Sequence, residues 1–290
     1  MIFLHLMDYK GRDNLNELKI IDAHLHFARE FYFDEIAITA GHKNNADHLA
    51  ECYKNLGIIH GIVMSNGTLN VESLQYPKFL SYCVGLDNWV MNKSTFKSNL
   101  LLIEENLKRR ECVGVKLYPG YLHFYVSDDD LKPIYNLAAK YDKPVAIHTG
   151  LTAMTNAYLK YSHPLVIDEA AAKFQNVKFV MCHLGEPYIN DAVAVLSKNP
   201  NVAADLSGML EGKIFDMDQF LTKKKFYIDQ LRGWLEYLDD YTRIMFGTDW
   251  PLANLNDYIE FTKSFIPKDQ WSQVFYKSAV KIYHLERILN

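Results

Sequence analysis

Two histidines placed two residues apart begin the part of the chain that could perform chemistry. His24 and His26 lie in the apolar run IIDAHLHF. If this run is a β-strand, its two-residue period points both imidazoles to one face. Neutral imidazole is a good ligand for Zn, Fe, Ni or Co, and a strand fixes both nitrogens without the entropy of a loop. The pair therefore indicates part of a metal site. Asp22, on the same face, could orient a histidine ring, or it could be a buried carboxylate with other hydrogen-bond partners.

Three further polar residues end apolar runs in a similar way. His148 ends the run PVAIH, His183 ends VMCH, and Asp249 follows RIMFGT, each shortly before a Gly or Pro. Barrel active sites lie at the carboxyl ends of the strands, so these side chains are expected to converge with the histidine pair. The alternative reading, separate core or rim residues with satisfied hydrogen bonds, needs an independent coincidence at each strand.

The runs that carry these residues belong to a regular alternation. Short runs rich in Val, Ile and Phe alternate with segments of helical period, as expected when crossover helices join parallel strands. No GxGxxG motif follows the first strand, which disfavours an open doubly wound sheet. The pattern predicts an α/β fold, a (β/α)8 TIM barrel, with strands at residues 19–27, 58–65, 80–86, 113–118, 144–149, 177–184, 202–207 and 243–249.

The predicted barrel occupies one domain. Residues 19–290 are expected to form it, and residues 1–18 read as an N-terminal extension. Residues 31–47 and 208–227 are predicted to be loops over the barrel mouth, where substrate specificity usually resides.

Composition and charge restrict the partners of the protein. The chain has 290 residues, of which 49% are hydrophobic and 23% charged, so it can bury a sizeable core without disulfides. A formal net charge of -4 without a basic stripe excludes nucleic acid as the expected partner. No apolar run approaches the roughly 18 residues of a membrane span. Four cysteines without a CxxC pair, and no signal peptide, favour the cytoplasm. The sequence leaves the formation of a homo-oligomer open.

Taken in order, the motifs resemble the amidohydrolase superfamily, in its amidohydrolase-related (amidohydrolase 2) branch of TIM-barrel metal-dependent hydrolases. The resemblance spans residues 20–289 and rests on IDAHLHF, VGVKLYP, PVAIHTG, CHLGEP and FGTDWP. It implies that His24, His26 and His148 bind one divalent metal ion, with zinc expected first and Mn, Fe, Co or Ni as alternatives. Asp249 is implied as a ligand that also accepts a proton. In the family, His183 either binds a second metal or polarises the substrate or the bound water, and with one metal the second role is expected.

A metal with an open coordination position predicts a hydrolytic mechanism. The ion lowers the pKa of water toward roughly 7 and polarises an acyl oxygen. Asp249 is expected to act as general base and then general acid, and His183 to stabilise the oxyanion. The expected reaction is hydrolysis of an amide, lactone or other ester-like bond in a small, carboxylate-bearing substrate.

Four residues near the predicted strand ends are candidates for substrate binding. Lys116 is expected to be unmodified, to face the pocket and to pair with a substrate carboxylate. The alternatives are a carboxylated lysine that bridges two metals and a rim lysine with a solvated head. Arg29, Tyr118 and Glu186 are the other three candidates.

Two other functions stay open at this stage. The same branch contains nonoxidative decarboxylases of aromatic or dienoic acids that use the same metal pocket. Some of these replace the first histidine of the HxH pair with glutamate, so the retained His24 favours hydrolysis. The third reading is a barrel that has lost catalysis and serves as a binding module. The complete set of expected ligands argues against it.

Overall fold

Eight parallel strands stand side by side in the order of the chain. The structure is a computed structural model, and it describes residues 18–27, 31–87 and 95–289. All eight predicted strands are present, several of them shorter than predicted, and the predicted TIM barrel is confirmed. The strands are β1 (Ile20–Leu25), β2 (Ile58–Met64), β3 (Leu80–Leu86), β4 (Cys112–Leu117), β5 (Val145–Ile147), β6 (Phe179–Met181), β7 (Val202–Asp205) and β8 (Ile244–Met245).

Backbone hydrogen bonds between β1 and the segment that follows β8 close the barrel. The Ala23 N–H donates to the carbonyl of Phe246 at 2.9 Å, and the Asp249 N–H donates to the carbonyl of His24 at 2.8 Å. Asp249, four residues after the end of β8, adopts a left-handed conformation, with φ of 58°. This closure places the aspartate directly beside the first histidine.

Apolar side chains fill both faces of the sheet. Strands covered on both faces read as nearly continuous apolar runs, which explains why the strands could be found from the sequence. The interior of the barrel is filled mainly by small and medium side chains, namely Ile21, Ala23, Ile62, Met64, Cys83, Val113, Ala146, Val180, Cys182, Ala203 and Met245. A larger core lies between the strands and the outer helices.

Helices surround the sheet and connect its strands. The one that joins β4 to β5 follows a short 3₁₀ turn and buries its apolar stripe, formed by Leu131, Ile134, Tyr135 and Ala138, completely. The described helices are α1 (Phe31–Thr39), α2 (Ala46–Leu56), α3 (Phe96–Lys108), α4 (Lys132–Lys140), α5 (Leu159–Ser162), α6 (Leu165–Lys173), α7 (Ile189–Lys198), α8 (Met217–Lys223), α9 (Lys225–Leu238), α10 (Leu255–Lys263), α11 (Ser278–Ile282) and α12 (Glu286–Leu289).

The prediction of two long loops over the barrel mouth is wrong, because both segments contain helices. Residues 31–47 contain α1 and the start of α2, and residues 208–227 contain α8 and the start of α9. Helix α1 is rich in aromatic and β-branched residues, which have weak helix propensity. A tertiary contact supports it, because the ring of Phe33 stacks on His26 with 5.3 Å between ring centroids. Helix α8 carried a local signal that was missed, since the side chain of Asp216 caps it at the N–H of Gln219.

The division of the chain at residue 18 stays a prediction, because residues 1–17 lie outside the described residues. No helix that the structure describes is long and apolar enough to cross a membrane.

Candidate metal centre and active site

Two imidazoles and a carboxylate meet at the carboxyl end of the barrel. The Nε2 atoms of His24 and His26 lie 3.4 and 3.3 Å from the Oδ1 of Asp249. His24 Nε2 and Asp249 Oδ1 are buried without a hydrogen-bond partner among the described residues. Buried polar atoms nearly always have a partner, so such an arrangement fits a ligand that is not part of the chain. The three side chains could hold a metal ion.

Hydrogen bonds on the opposite side of these two rings determine which nitrogens are free. The Nδ1 of His24 lies 3.0 Å from a carboxylate oxygen of Asp205, and the Nδ1 of His26 lies 2.9 Å from the amide oxygen of Asn66. Both oxygens can only accept, so each Nδ1 carries the hydrogen in the neutral ring. Each Nε2 therefore keeps a lone pair directed toward Asp249. This is the tautomer that metal-bound imidazoles adopt.

A second pair of histidines lies beside the first. The Nδ1 of His148 is 3.1 Å from the Nε2 of His183. The other nitrogen of His148 lies 3.0 Å from the carbonyl of Leu151, and that of His183 lies 3.2 Å from the carbonyl of Ser207. Carbonyls only accept, so in the neutral rings the hydrogens sit on these outer nitrogens. The two facing nitrogens then have no hydrogen between them. A nearby cation, either a metal ion or a proton on one ring, relieves the repulsion of their lone pairs.

Burial sets the protonation of the site. It lowers the pKa of the His183 imidazole to about 4 and that of His148 well below its ordinary value. At Asp249 burial acts to raise the pKa, but the contacts with His26 and the other neighbouring imidazoles outweigh it, so the pKa lies well below its usual range. The site thus favours neutral imidazoles at His148 and His183 and an ionised carboxylate at Asp249. Metal ligation requires these protonation states.

Asp205 positions both histidine pairs. Besides its contact with His24, its carboxylate accepts hydrogen bonds from the backbone N–H of His183 at 3.0 Å and from the N–H of Ser207 at 3.1 Å. The Ser207 hydroxyl also donates to it. One buried carboxylate at the end of β7 therefore orients the first imidazole and fixes the turn that carries His183.

Of the two roles considered for Asp22, the structure supports the buried hydrogen-bonding carboxylate. Its carboxylate accepts from the N–H and hydroxyl of Thr248, at 2.9 and 2.6 Å, and from the hydroxyl of Tyr53 at 2.9 Å. Burial raises its pKa to about 7. Asp22 contacts no histidine ring and instead ties β1 to the segment that leads to Asp249. The structure assigns the orientation of the His24 ring to Asp205.

Asn66 is a site residue that the sequence reasoning missed. It follows β2 and contacts the His26 ring, and its amide nitrogen lies 3.1 Å from the hydroxyl of Tyr118. The signal used for the other site residues was present here too, because Asn66 is a polar residue that stands after an apolar strand and directly before Gly67.

A cavity of about 350 Å³ lies over the candidate centre. His148, His183 and Asp249 are part of its wall, together with Glu186 and Glu211. The volume is near the lower end of the range for small-molecule sites. The cavity therefore suits a small substrate next to the histidines.

The four residues expected to bind substrate differ in their positions. Glu186 lines the cavity. Lys116 is completely buried, with its Nζ 2.9 Å from the Sγ of Cys182, and it does not reach the cavity wall. Tyr118 is also buried and is bonded to Asn66. Arg29 lies outside the described residues. The pairing of Lys116 with a substrate carboxylate thus stays a prediction that no cavity contact supports.

A further group of potential metal ligands combines His42, between α1 and α2, with His48 and Cys52 of α2. The Leu255 N–H donates to the Nε2 of His42 at 3.1 Å, so the hydrogen of the neutral ring sits on Nδ1. This Nδ1 lies 3.1 Å from the Nε2 of His48 and donates to it. His42 therefore has no free lone pair for a metal. The group links the segment between α1 and α2 to the start of α10.

The barrel and its histidine-rich centre define a class of protein, the TIM barrels with a candidate metal site at the carboxyl ends of their strands. The family model described as amidohydrolase (Amidohydro_2) matches residues 93–285, and the chain belongs to this family. It is an enzyme of the amidohydrolase type. No curated protein matches the chain.

Solved structures with the same fold include enzymes of different activities. An uncharacterised TIM-barrel protein from Bordetella bronchiseptica is 18% identical, with 94% of this chain and 100% of that chain covered and a TM-score of 0.65. A probable 2-pyrone-4,6-dicarboxylic acid hydrolase from Acinetobacter baumannii is 14% identical, with coverages of 92% and 99% and a TM-score of 0.62. A 2,6-dihydroxybenzoate decarboxylase from Rhizobium is 12% identical, with coverages of 92% and 99% and a TM-score of 0.63. At these identities the likeness concerns the fold.

Proposed function

We propose that this enzyme is a metal-dependent hydrolase that cleaves an amide, lactone or other ester-like bond of a small substrate. One observation carries the proposal: His24 Nε2 and Asp249 Oδ1 are buried without partners and face each other beside the cavity. His26 offers a free lone pair next to them, and His148 keeps one on the Nδ1 that faces the neighbouring His183. These four residues would hold one divalent ion, and three imidazoles with one carboxylate suit zinc.

The bound ion would supply Lewis-acid polarisation of the scissile carbonyl and lower the pKa of water. Asp249 accepts the proton of the attacking water and delivers it to the leaving group. His183, which lines the cavity, would polarise the substrate or the bound water, and its Nε2 faces the Nδ1 of His148 at 3.1 Å. It stabilises an oxyanion only in its protonated form. The cavity above these groups holds the substrate next to the water.

Hydrolysis is favoured over decarboxylation by the charge of the cavity. The described part of the cavity wall contains Glu186 and Glu211 but no lysine or arginine, so among the described wall residues no cation adds to the metal ion in binding the carboxylate of a decarboxylase substrate. The retained His24 favours hydrolysis as well. The unpartnered ligand atoms argue against a barrel that serves only as a binding module.

The test compares two variants of the candidate centre. Asp249→Asn keeps an oxygen ligand but removes the base, so metal content should stay largely unchanged while turnover falls by about 100-fold or more. His24→Ala removes a ligand, so metal content and turnover should fall together. Metal content is measured by mass spectrometry after gel filtration. Kinetics follow on lactones, amides and esters with the zinc- and manganese-loaded enzyme.

Asp130→Asn serves as the control, because this aspartate is exposed and lies outside the cavity wall. It should match the wild type in both measurements. Near-normal turnover of a metal-loaded Asp249→Asn enzyme would exclude the proton-transfer role. A wild-type protein that binds no stoichiometric metal would favour the binding module instead.

A further inference from the structure

The turn after β4 brings a tyrosine to the wall of the cavity. Tyr121 lines the cavity, and its ring lies against the imidazole of His148 with 4.9 Å between ring centroids. A backbone hydrogen bond holds the turn, because the Tyr158 N–H donates to the carbonyl of Gly120, directly before Tyr121, at 3.0 Å. The Tyr121 side chain is therefore held beside one of the histidines of the candidate centre.

The hydroxyl of Tyr121 accepts a hydrogen bond from the Ala153 N–H at 2.9 Å. It donates to no residue that the structure describes. A phenol ordinarily has a pKa of about 10, and burial raises the pKa of Tyr121 further, so its hydrogen is present at neutral pH. The O–H can therefore donate to a ligand in the cavity, and the N–H at its oxygen makes it a stronger donor.

Few other side chains of the cavity wall can donate a hydrogen bond to a substrate oxygen. The described part of the wall contains no lysine or arginine. In their neutral rings, His148 and His183 direct their hydrogens at backbone carbonyls, and the hydroxyl of Thr149 also donates to a backbone carbonyl. Among the described wall residues, the hydroxyls of Tyr121 and Thr152 remain.

We infer, building on the proposed hydrolysis, that Tyr121 donates a hydrogen bond to the carbonyl oxygen of the scissile bond and stabilises the oxyanion that forms there. The phenol keeps its proton, and the hydrogen bond strengthens as negative charge develops on the oxygen. Tyr121 thus takes the role that the sequence assigned to His183, whose Nε2 has no hydrogen in the neutral ring. Thr152 is less suited, because no hydrogen bond from a described residue fixes its hydroxyl in advance.

The kinetic test compares Tyr121→Phe with the wild type on p-nitrophenyl acetate, with both proteins loaded with zinc. The variant keeps an aromatic ring against His148 and loses the hydroxyl. Turnover should fall by about 100-fold or more, whereas metal content and KM should change by less than about threefold. The matched control is Tyr237→Phe, which removes an exposed hydroxyl outside the cavity and should leave all three quantities unchanged.

Two further measurements separate hydrogen-bond donation to the substrate from support of the Ala153 backbone. In p-nitrophenyl thionoacetate, sulfur replaces the carbonyl oxygen and accepts hydrogen bonds only weakly. The ratio of the oxygen-ester rate to the thionoester rate should therefore fall by at least about tenfold in Tyr121→Phe. p-Nitrophenyl methylphosphonate resembles the tetrahedral oxyanion, and calorimetry should show at least about tenfold weaker binding to this variant.

The possible results separate the inference from the proposed hydrolysis. Wild-type turnover and phosphonate affinity in Tyr121→Phe would overturn the inference and leave the hydrolysis standing. A loss of turnover with an unchanged rate ratio would also overturn it, since the hydroxyl would then only support the loop. A greater loss in Thr152→Val than in Tyr121→Phe would assign the donor role to Thr152 instead. If no ester is cleaved but phosphonate binding depends on the Tyr121 hydroxyl, the donor role stands and the proposed hydrolysis fails for this ester.

Discussion

Asp205 provides a sharp test of how the barrel orients its imidazoles. Its carboxylate accepts from the His24 ring at 3.0 Å, from the His183 N–H at 3.0 Å and from the N–H of Ser207 at 3.1 Å. In Asp205→Asn the amide oxygen can replace only one carboxylate oxygen, and the amide NH₂ group faces donors on the other side. If the oxygen stays with His24, two backbone N–H groups lose their acceptor.

The size of the effect follows from these lost bonds. A buried N–H without a partner costs about 1–3 kcal/mol, and local relaxation reduces the sum for two of them. We therefore expect the free energy of unfolding of the metal-free protein to fall by about 2–4 kcal/mol. Metal affinity should fall by about 10- to 100-fold, because partners behind a ligand orient it and set its tautomer.

Urea unfolding of the metal-free protein measures the first quantity, and titration against a competing chelator measures the second. Ser207→Ala is the matched control, because it removes the contacts of the hydroxyl with Asp205 and with the His183 Nδ1 and leaves the contact between Asp205 and His24 in place. It should cost about 1 kcal/mol of stability and change metal affinity by less than about threefold. Wild-type metal affinity in a folded Asp205→Asn protein would refute the orienting role.

Three further predictions concern the backbone, the pH dependence and the metal. Gly208 has φ of +70°, and a Cβ at this position would lie 2.7 Å from the His183 Nδ1. Gly208→Ala should therefore lower turnover by at least about tenfold. The control, Gly67→Ala, has φ of +80° and open space around the new Cβ, so it should only lower the free energy of unfolding by about 1–2 kcal/mol. Burial lowers the pKa of His60 from 6.5 to about 4, so the unfolded chain binds an extra proton between these values and stability falls as the pH drops. His60→Gln should remove up to about 3 kcal/mol of this fall in urea unfolding. Removal of the metal with a chelator should lower the wild-type Tm, and added zinc should restore it. At a free zinc concentration of about 100 times Kd, the gain in the free energy of unfolding should be about 2.7 kcal/mol. His24→Ala should show no such change in Tm.

The sequence alone determined the barrel and the positions of its polar strand ends. Strands covered on both faces leave nearly continuous apolar runs, and a polar residue that ends such a run stands out. This local contrast sufficed to find the HxH pair of β1, His148, His183 and Asp249. The sequence also predicted helix α4, because the apolar residues of this segment repeat at the helical period. The sequence did not predict helix α1, because the aromatic and β-branched residues of this helix have weak helix propensity.

The tertiary structure decided which polar residues act on which partner. Asp22 and Asp205 both lie in strands, yet only Asp205, 181 residues away along the chain, reaches the His24 ring. Lys116 points into the barrel interior toward Cys182, whereas Glu186 and Glu211 line the cavity. Periodicity specifies the face on which a side chain lies, but the atom it contacts depends on packing across the barrel between segments distant in sequence.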